Sequence, residues 1–311
     1  MKIGGRGSDA TISQVKSVVR HILAHPSVNP AVTAAIRPWA HSLMPSTLLR
    51  IPVKRIVEVQ SPYCDGPILL DTAGVDPIAS MLYWWGLTGW EPETLPVFLR
   101  LIQPGMTVLD VGANTGLFSL LAARRSPTVA VHAVEPVPRV FDMLQANVAR
   151  NHLANLSCHR LALSDREGSV AMYVPKEEIP VMASLLPQWR PGSDRIDVEA
   201  QTLDRFAADL GIRHVDVLKV DTEGTEHDVL AGAAGILSAD RPFVVCEVLT
   251  AGNTADALTA QLGAADYVFF LLTKEGPRPA ERILGNATGG CHNYLFVPRS
   301  RLEEARLCLA L

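Results

Sequence analysis

A doubly wound α/β fold, its sheet mostly parallel with an antiparallel last strand, is what this sequence predicts, and three observations carry the expectation. From about Glu91 onward, short apolar runs alternate with helix-patterned segments, which is the mark of repeated strand-helix units. The first of these runs ends in a glycine-bearing turn, "VLDVGANTGLFS" (Val108 to Ser119), the place where such a sheet receives its ligand. The 311 residues are 48% hydrophobic and 19% charged. That suits one large domain with an appendage and excludes a disordered or fibrous chain.

The elements follow in order. Between Thr11 and Ala24, apolar residues at Ile12, Val15, Val18, Val19, Ile22 and Leu23 keep helical spacing, and Pro26 and Pro30 end the pattern. "RIPVKRIVEVQ" and "GPILLD" read as two strands joined by the turn-forming "SPYCDG", a hairpin ahead of the main domain. The boundary is placed so that residues 1–88 form a helical and hairpin extension and residues 89–311 the principal domain. There "TVLDV" precedes a helix from about Thr115, and "VAVHAV" precedes "VFDMLQANVARN". "HVDVLKVD" leads into "TEHDVLAGAAGIL" and "PFVVCEV" into "ADALTAQLG", while "YVFFLL" and "HNYLFVP" close the series. One of the final pair is expected to be antiparallel, because no helix separates them. After "LSCHRLAL" the alternation breaks, and the Pro-rich stretch within residues 169–200 is expected to be irregular, either a lid or a surface excursion.

Charge is uneven. The first sixty residues carry eight Lys/Arg against Asp9 and Glu58, a net of +6, which leaves −10 for the remainder of a chain whose total is −4. A solvated helical face accounts for this, and an acidic partner or anionic surface is the sharper option. No nucleic-acid motif and no basic groove accompany it, so no nucleic-acid partner is expected. Five cysteines are scattered without a C-x-x-C pair, which reads as reduced thiols in a cytoplasmic protein without structural zinc. The N-terminal "MKIGGRGSDATISQVKSVV" has no continuous apolar core, and no stretch approaches membrane-spanning length. Composition leaves the oligomeric state open, a homodimer included.

The chemistry-bearing residues begin with the glycine turn. Gly112 and Gly116 permit close backbone approach, and amides at the helix start are expected to be available to an anionic group. A dinucleotide fingerprint is G-x-G-x-x-G, whereas Asp110, Gly112, Asn114 and Gly116 fall at alternate positions. Asn114 stands where a further glycine is usual and tolerates a left-handed backbone. Glu135 ends the next apolar run, 25 residues after Asp110, where a carboxylate accepts both hydroxyls of a ribose or, alternatively, caps the following helix. Further along, "VDVLKVDTEGTEHDVLAGA" gathers Lys219, Asp221, Glu223, Gly224 and Glu226 between a strand end and a helix start. So many charges at the mouth of a buried strand are costly unless they serve a site.

The glycine turn resembles motif I of class I S-adenosylmethionine-dependent methyltransferases. With "LDVGANTGLFSLLAA", "VEPVPRVFDMLQANVARN", "LALSDREGSV", "TLDRF" and "LKVDTEGTEHDVLAGA" in succession, the chain resembles the FkbM family of methyltransferases over roughly residues 88 to 298. The resemblance implies a Rossmann-like class I fold, S-adenosyl-L-methionine as cofactor, and transfer to a hydroxyl oxygen of a sugar, glycoconjugate or secondary metabolite. It further implies cofactor contacts from Glu91, Asp110, Gly112, Asn114, Gly116, Glu135, Pro136, Ala162, Leu163 and Asp221. Within the resembling segment, Glu223 and His227 are the expected bases for deprotonating the acceptor, with Asp221 shared with the cofactor and His292 in reserve. Asp221, Glu223 and Glu226 also make a set that a hard cation such as magnesium takes in some other O-methyltransferases; spacing leaves this open and no metal is assigned. In "MLYWWGLTGWEPET", Trp90 and Glu91 are placed over the cofactor, and Trp84 and Trp85 either face the acceptor or pack the hairpin. Two rival readings stand. A nicotinamide-dependent oxidoreductase reuses the Asp110 to Glu135 layout but leaves the later acidic cluster unexplained; a cofactor-binding, non-catalytic interaction protein keeps the fold and loses the acceptor pocket.

Overall fold

The computed structural model of the chain describes residues 25, 28–43, 48, 51–176, 183–185, 192–249, 254–284 and 291–309. The chain divides into two compact units, Met1–Val59 with Leu69–Trp90 and Gln60–Ile68 with Glu91–Leu311. The helix expected over Thr11 to Ala24 lies outside the described residues.

In the first unit, helix α1 (Asn29–Ile36) starts with Pro30 in its first turn, where the missing N–H costs nothing. Asn29 is fully buried and its amide joins the helix to the incoming strand, donating to Pro52 O and accepting from Lys54 N at 2.8 Å. Strands β1 (Ile56–Val59) and β2 (Ile68–Asp71) form the expected two-stranded ribbon. Helix α2 (Pro77–Trp85) is capped by Asp76, which accepts from the amides of Ile78 and Ala79, so the N-terminal turn is satisfied in the usual way.

The second unit opens with α3 (Leu95–Leu101) and then builds the main sheet. Its strands are β3 (Thr107–Val111), β4 (Ala130–Val134), β5 (Leu156–His159), β9 (Val217–Val220), β10 (Phe243–Leu249), β11 (Tyr267–Thr273), β12 (Gly276–Ala280) and β13 (Cys291–Pro298). They lie in the order β12-β11-β13-β10-β9-β3-β4-β5. From β5 to β10 every pairing is parallel, and β13 is antiparallel to both β10 and β11, as the sequence implied. Chain order reverses between β3 and β9, so the crevice beyond their carboxyl ends is the switch point of the sheet. Helices α4 (Leu117–Arg125), α5 (Pro138–Asn151), α6 (Leu203–Leu210), α7 (Glu226–Ala231), α8 (Ala234–Ala239), α9 (Thr254–Ala264) and α10 (Leu302–Leu309) complete the unit. A continuous core of Leu109, Val111, Val220, Val244, Cys246 and Phe296 with residues of α6 to α9 holds the strands in place. Burial on both faces explains why these strands read as unbroken apolar runs.

Two expectations need correction. Residues 169–200 are not one irregular stretch: β7 (Gly168–Val174) and β8 (Asp194–Gln201) pair antiparallel, and the short β6 (Ala162–Leu163) joins them in a second sheet of order β6-β8-β7. Both strands alternate, Val170, Met172 and Val174 opposite Val198, Ile196 and Asp194, so the signal was period two and the prolines between them obscured it. The strand β12 was also missed, because Pro277 and Pro279 argue against a ladder position; it occupies the sheet edge, where proline is tolerated. Among the described residues no helix is long and apolar enough to cross a membrane.

Candidate functional site

The loop after β3 is closed upon itself. Gly112 and Ala113 both donate their amides to Val134 O at 3.0 Å, and Gly116 donates to Ala113 O. Asn114, left-handed at φ 50°, donates its amide to Glu135 Oε2 at 3.1 Å and accepts from Thr115 N through its own side chain at 2.9 Å. Each amide from Gly112 through Gly116 is therefore already committed. The expectation that this loop offers amides to an anion is corrected: a pyrophosphate would have to break the loop to bind there.

Gly112 has a different reason for being glycine than the one the sequence suggested. A Cβ at this position, φ 78°, would stand 1.9 Å from the carbonyl oxygen of Asp221. The close approach is to the neighbouring loop of the protein itself, not to a ligand. Gly116, φ 99°, begins α4, and a Cβ there would meet Leu144 Cδ1 at 2.6 Å.

Glu135 is buried and spans the loop and the next helix, one oxygen taking Asn114 N and the other Val137 N at 2.9 Å. Burial, only partly offset by those two amides, pushes its carboxyl up to about 7. The helix-capping role is present, and a second lone pair on each oxygen is left for a ligand hydroxyl. Pro136 follows it and directs the chain into α5, where Pro138 takes the first helical position.

The loop after β9 is built around carboxylates. Glu223 is left-handed at φ 58°, an unfavourable conformation for a residue with a Cβ that needs outside support, and Gly224 follows at φ 103°, where glycine is at no disadvantage. Glu226 supplies that support: one carboxylate oxygen accepts from Thr222 N, Thr222 Oγ1 and Gly224 N at 3.1, 3.2 and 2.9 Å. Burial pushes the Glu226 carboxyl up to about 7 despite these donors. Ser184 adds a hydrogen bond to the Glu223 carbonyl at 2.7 Å.

Lys219 stands beneath, its ammonium 2.9 Å from Asp221 and 3.9 Å from Asp110, and over the Phe118 ring at 4.6 Å. Burial works against its charge, but Asp221, Asp110 and Glu91 outweigh that and hold its pKa above the ordinary lysine value. Asp110 is fully buried and accepts from Ser119 Oγ at 2.5 Å; burial raises its pKa against the pull of Lys219. Asp110 thus anchors Lys219 and α4 from a fully buried position.

The half-buried carboxylates at the mouth are Asp221, Glu223 and Glu247, with ligand oxygens within 4.8 Å of one another. Glu247 was missed by sequence reasoning; it follows the apolar run "FVVC" in β10, and an acid breaking a buried strand near its end was the available signal. Glu226 had been grouped with the first two, but its oxygens turn inward to the loop, so a hard cation would find Glu247 in its place. Glu247 pairs in register with Asn293 of β13, and Asn293 donates to Glu91 at 3.1 Å. Glu91 is thereby tied to β13 next to Glu247.

Other expectations fare less well. Ala162 and Leu163 are buried in two different apolar clusters, so only their backbone remains to face a ligand. His227 lies on α7 with its imidazole 3.2 Å from Asp228. Trp84 is 2% exposed and packs edge-on against Tyr83 at 4.9 Å, the packing arrangement of the two offered for it. His292 pairs with Val248 through the backbone of β13, and its side chain lies outside the described residues.

Comparison with known proteins places the chain in a family. The model of the methyltransferase FkbM domain matches residues 110–269, just over half of the chain. The AMB antimetabolite synthetase AmbE of Pseudomonas aeruginosa is 30% identical over 210 residues, covering 57% of this chain and 10% of that protein. The 31-O-demethyl-FK506 methyltransferase FkbM of Streptomyces tacrolimicus is 31% identical over 161 residues, covering 42% of this chain and 60% of the relative. The chain thus spans well under two thirds of the length of either. Among solved structures, methyltransferase FkbM from Methylobacillus flagellatus superposes with a TM-score of 0.38 at 14% identity, covering 86% of this chain and 60% of the other.

Proposed function

Because this chain belongs to the methyltransferase FkbM domain family, we propose that residues 89–311 transfer a methyl group from S-adenosyl-L-methionine to a hydroxyl oxygen of a sugar, glycoconjugate or secondary metabolite. The observation that carries this reading is electrostatic. Every amide of the glycine loop is spent internally, and the adjoining strand ends present Asp221, Glu223 and Glu247 with one buried lysine among them. Such a crevice suits a cation and repels a pyrophosphate, which favours a sulfonium donor over a nicotinamide dinucleotide.

The bound donor would supply a methyl group already activated on a positive sulfur, so the chain's task is alignment and proton removal. In this reading the loop from Gly112 to Gly116 shapes the floor, Glu135 takes the ribose hydroxyls with its remaining lone pairs, and Pro136 with the backbone of Ala162 and Leu163 lines the base. Asp221, fixed by Lys219, orients the donor end. Glu223 takes the acceptor proton; its backbone is held from three sides, so its position is set before the acceptor arrives. The name 31-O-demethyl-FK506 methyltransferase supports oxygen as the acceptor atom. The test is incubation of the purified chain with methyl-labelled S-adenosylmethionine and a cell extract, followed by mass spectrometry. A labelled methyl ether is expected; label on nitrogen or carbon, or no transfer, contradicts the proposal.

A further inference from the structure

The first unit contains a cavity of about 560 Å³ lined by Ala34, Arg37, Pro38, His41, Arg55, Tyr83, Trp84, Trp85 and Gly86. Nothing in the methyl-transfer reading uses it. Arg37 and Arg55 both stand over the Tyr83 ring, their guanidinium carbons 4.9 and 4.8 Å from its centre. Two like charges on one ring repel each other, and cation-π attraction offsets this only in part. Among the described residues no carboxylate lies within ion-pairing distance of either guanidinium. Beside the cavity three groups are withdrawn from water: Arg55 Nε, Tyr83 OH and Trp84 Nε1 have no hydrogen-bond partner among the described residues. All three can donate. Tyr83 and Trp84 are each 2% exposed, so water does not readily compensate them, and buried donors left without acceptors cost stability. Arg55 is held in place from behind, one terminal nitrogen donating to Pro30 O at 2.7 Å.

We propose that this cavity binds an oxyanion, phosphate or carboxylate, carried on a soluble organic molecule. Two unneutralised guanidinium groups give charge and forked donors matched to such a group, and Trp85 and Pro38 give apolar surface for the body that bears it. The proposal also accounts for part of the basic excess of the first sixty residues, since Arg37 and Arg55 are two of its eight cations. Their arrangement around one cavity is what a merely solvated basic face would not require.

The experiment uses the full chain, with inorganic phosphate and acetate as separate probes and chloride at matched ionic strength as control, read by calorimetry and by tryptophan emission. Saturable binding of phosphate, of acetate or of both is expected, with no response to chloride; which probe binds identifies the oxyanion. Arg37→Gln, at an exposed position, should weaken it at least tenfold. Arg55→Gln is to be compared only after its unfolding midpoint is shown to match wild type; phosphate protection of the wild-type midpoint, lost in Arg37→Gln, provides the readout if it does not. Absence of a saturable response to either anion, or unchanged affinity in Arg37→Gln, overturns the proposal.

Discussion

The loop after β3 and the loop after β9 lie side by side at the switch point of one sheet, yet they are built on opposite plans. The first commits every amide from Gly112 to Gly116 to itself and its neighbours, and its acid Asp110 is fully buried. The second holds its backbone with a buried glutamate so that other carboxylates, Asp221 and Glu223, stay half exposed at the mouth. One loop is closed upon itself, and the other leaves carboxylates at the surface. The point of closest approach, Gly112 against the Asp221 carbonyl, is where shape is transmitted from one to the other.

The comparison breaks most completely at that contact. Gly112→Ala should lose about 3 kcal/mol or more of stability in urea unfolding, and S-adenosylmethionine binding with it, because the methyl has both a positive φ and a backbone carbonyl to contend with. Gly105→Ala is the control: φ is 87° but nothing lies within 4 Å, so only the strain, about 1 kcal/mol, is expected. Equal losses at the two positions would remove the contact from the argument.

Next in size is a change that leaves shape alone. Glu223→Gln should slow methyl transfer roughly 10²- to 10⁴-fold with donor affinity near wild type. Glu247→Gln and EDTA treatment sharpen the result: a cation held by Asp221, Glu223 and Glu247 would make activity fall with chelation and return with magnesium, whereas a carboxylate base is indifferent.

Glu135 braces the closed loop and is proposed to take the ribose hydroxyls, and its effect should be intermediate. Glu135→Ala is expected to weaken donor binding by roughly 1.5 to 3 kcal/mol per lost bond, measured by calorimetry, with a smaller change in single-turnover rate. Since its carboxyl is pushed up to about 7, donor affinity should fall between pH 8 and 6 as the acceptor is protonated. Stability runs the other way. A folded pKa above the unfolded value, near 4.5, contributes stability below that value which is lost as pH rises through about 7. The wild-type unfolding midpoint should therefore drop more between pH 5 and 8 than that of Glu135→Gln; parallel curves would contradict the assignment.

The smallest effect is expected at His227, which is half-buried and paired with its neighbour Asp228 on a short helix. His227→Asn should leave the transfer rate within about threefold and stability within about 0.5 kcal/mol. A loss comparable to that of Glu223→Gln would return the base to the helix.

The sheet was legible in the sequence because its strands are buried on both faces and read as apolar runs, with helix-length segments between them. The second sheet was not, since β7 and β8 expose alternate residues and are separated by a proline-rich stretch whose composition dominates local reading. In the site, the residue types and positions of Asp221 and Glu223 were readable, but direction was not. Glu226 sits three residues after Glu223 and looks equivalent on paper; only the hydrogen bonds to Thr222 and Gly224 reveal that it faces inward. Glu247 was hidden for the converse reason, a charge inside a run that otherwise spells core. The glycine of Gly112 announced a close approach without saying to what.

Strand β13 is the last of the sheet in the chain, yet it is an interior one, inserted between β10 and β11. During synthesis the two flanking strands emerge first and must wait, with their facing edges unpaired, for the strand between them. Unpaired edges of this kind attract other chains, so the interval between the emergence of Thr273 and Pro298 is the vulnerable one for this protein. Asn293, which links the last strand to Glu91 across 202 positions, is then among the final contacts to form. The acidic mouth is completed only when the sheet has closed, so partly made chains carry the glycine loop without the carboxylate cluster in place.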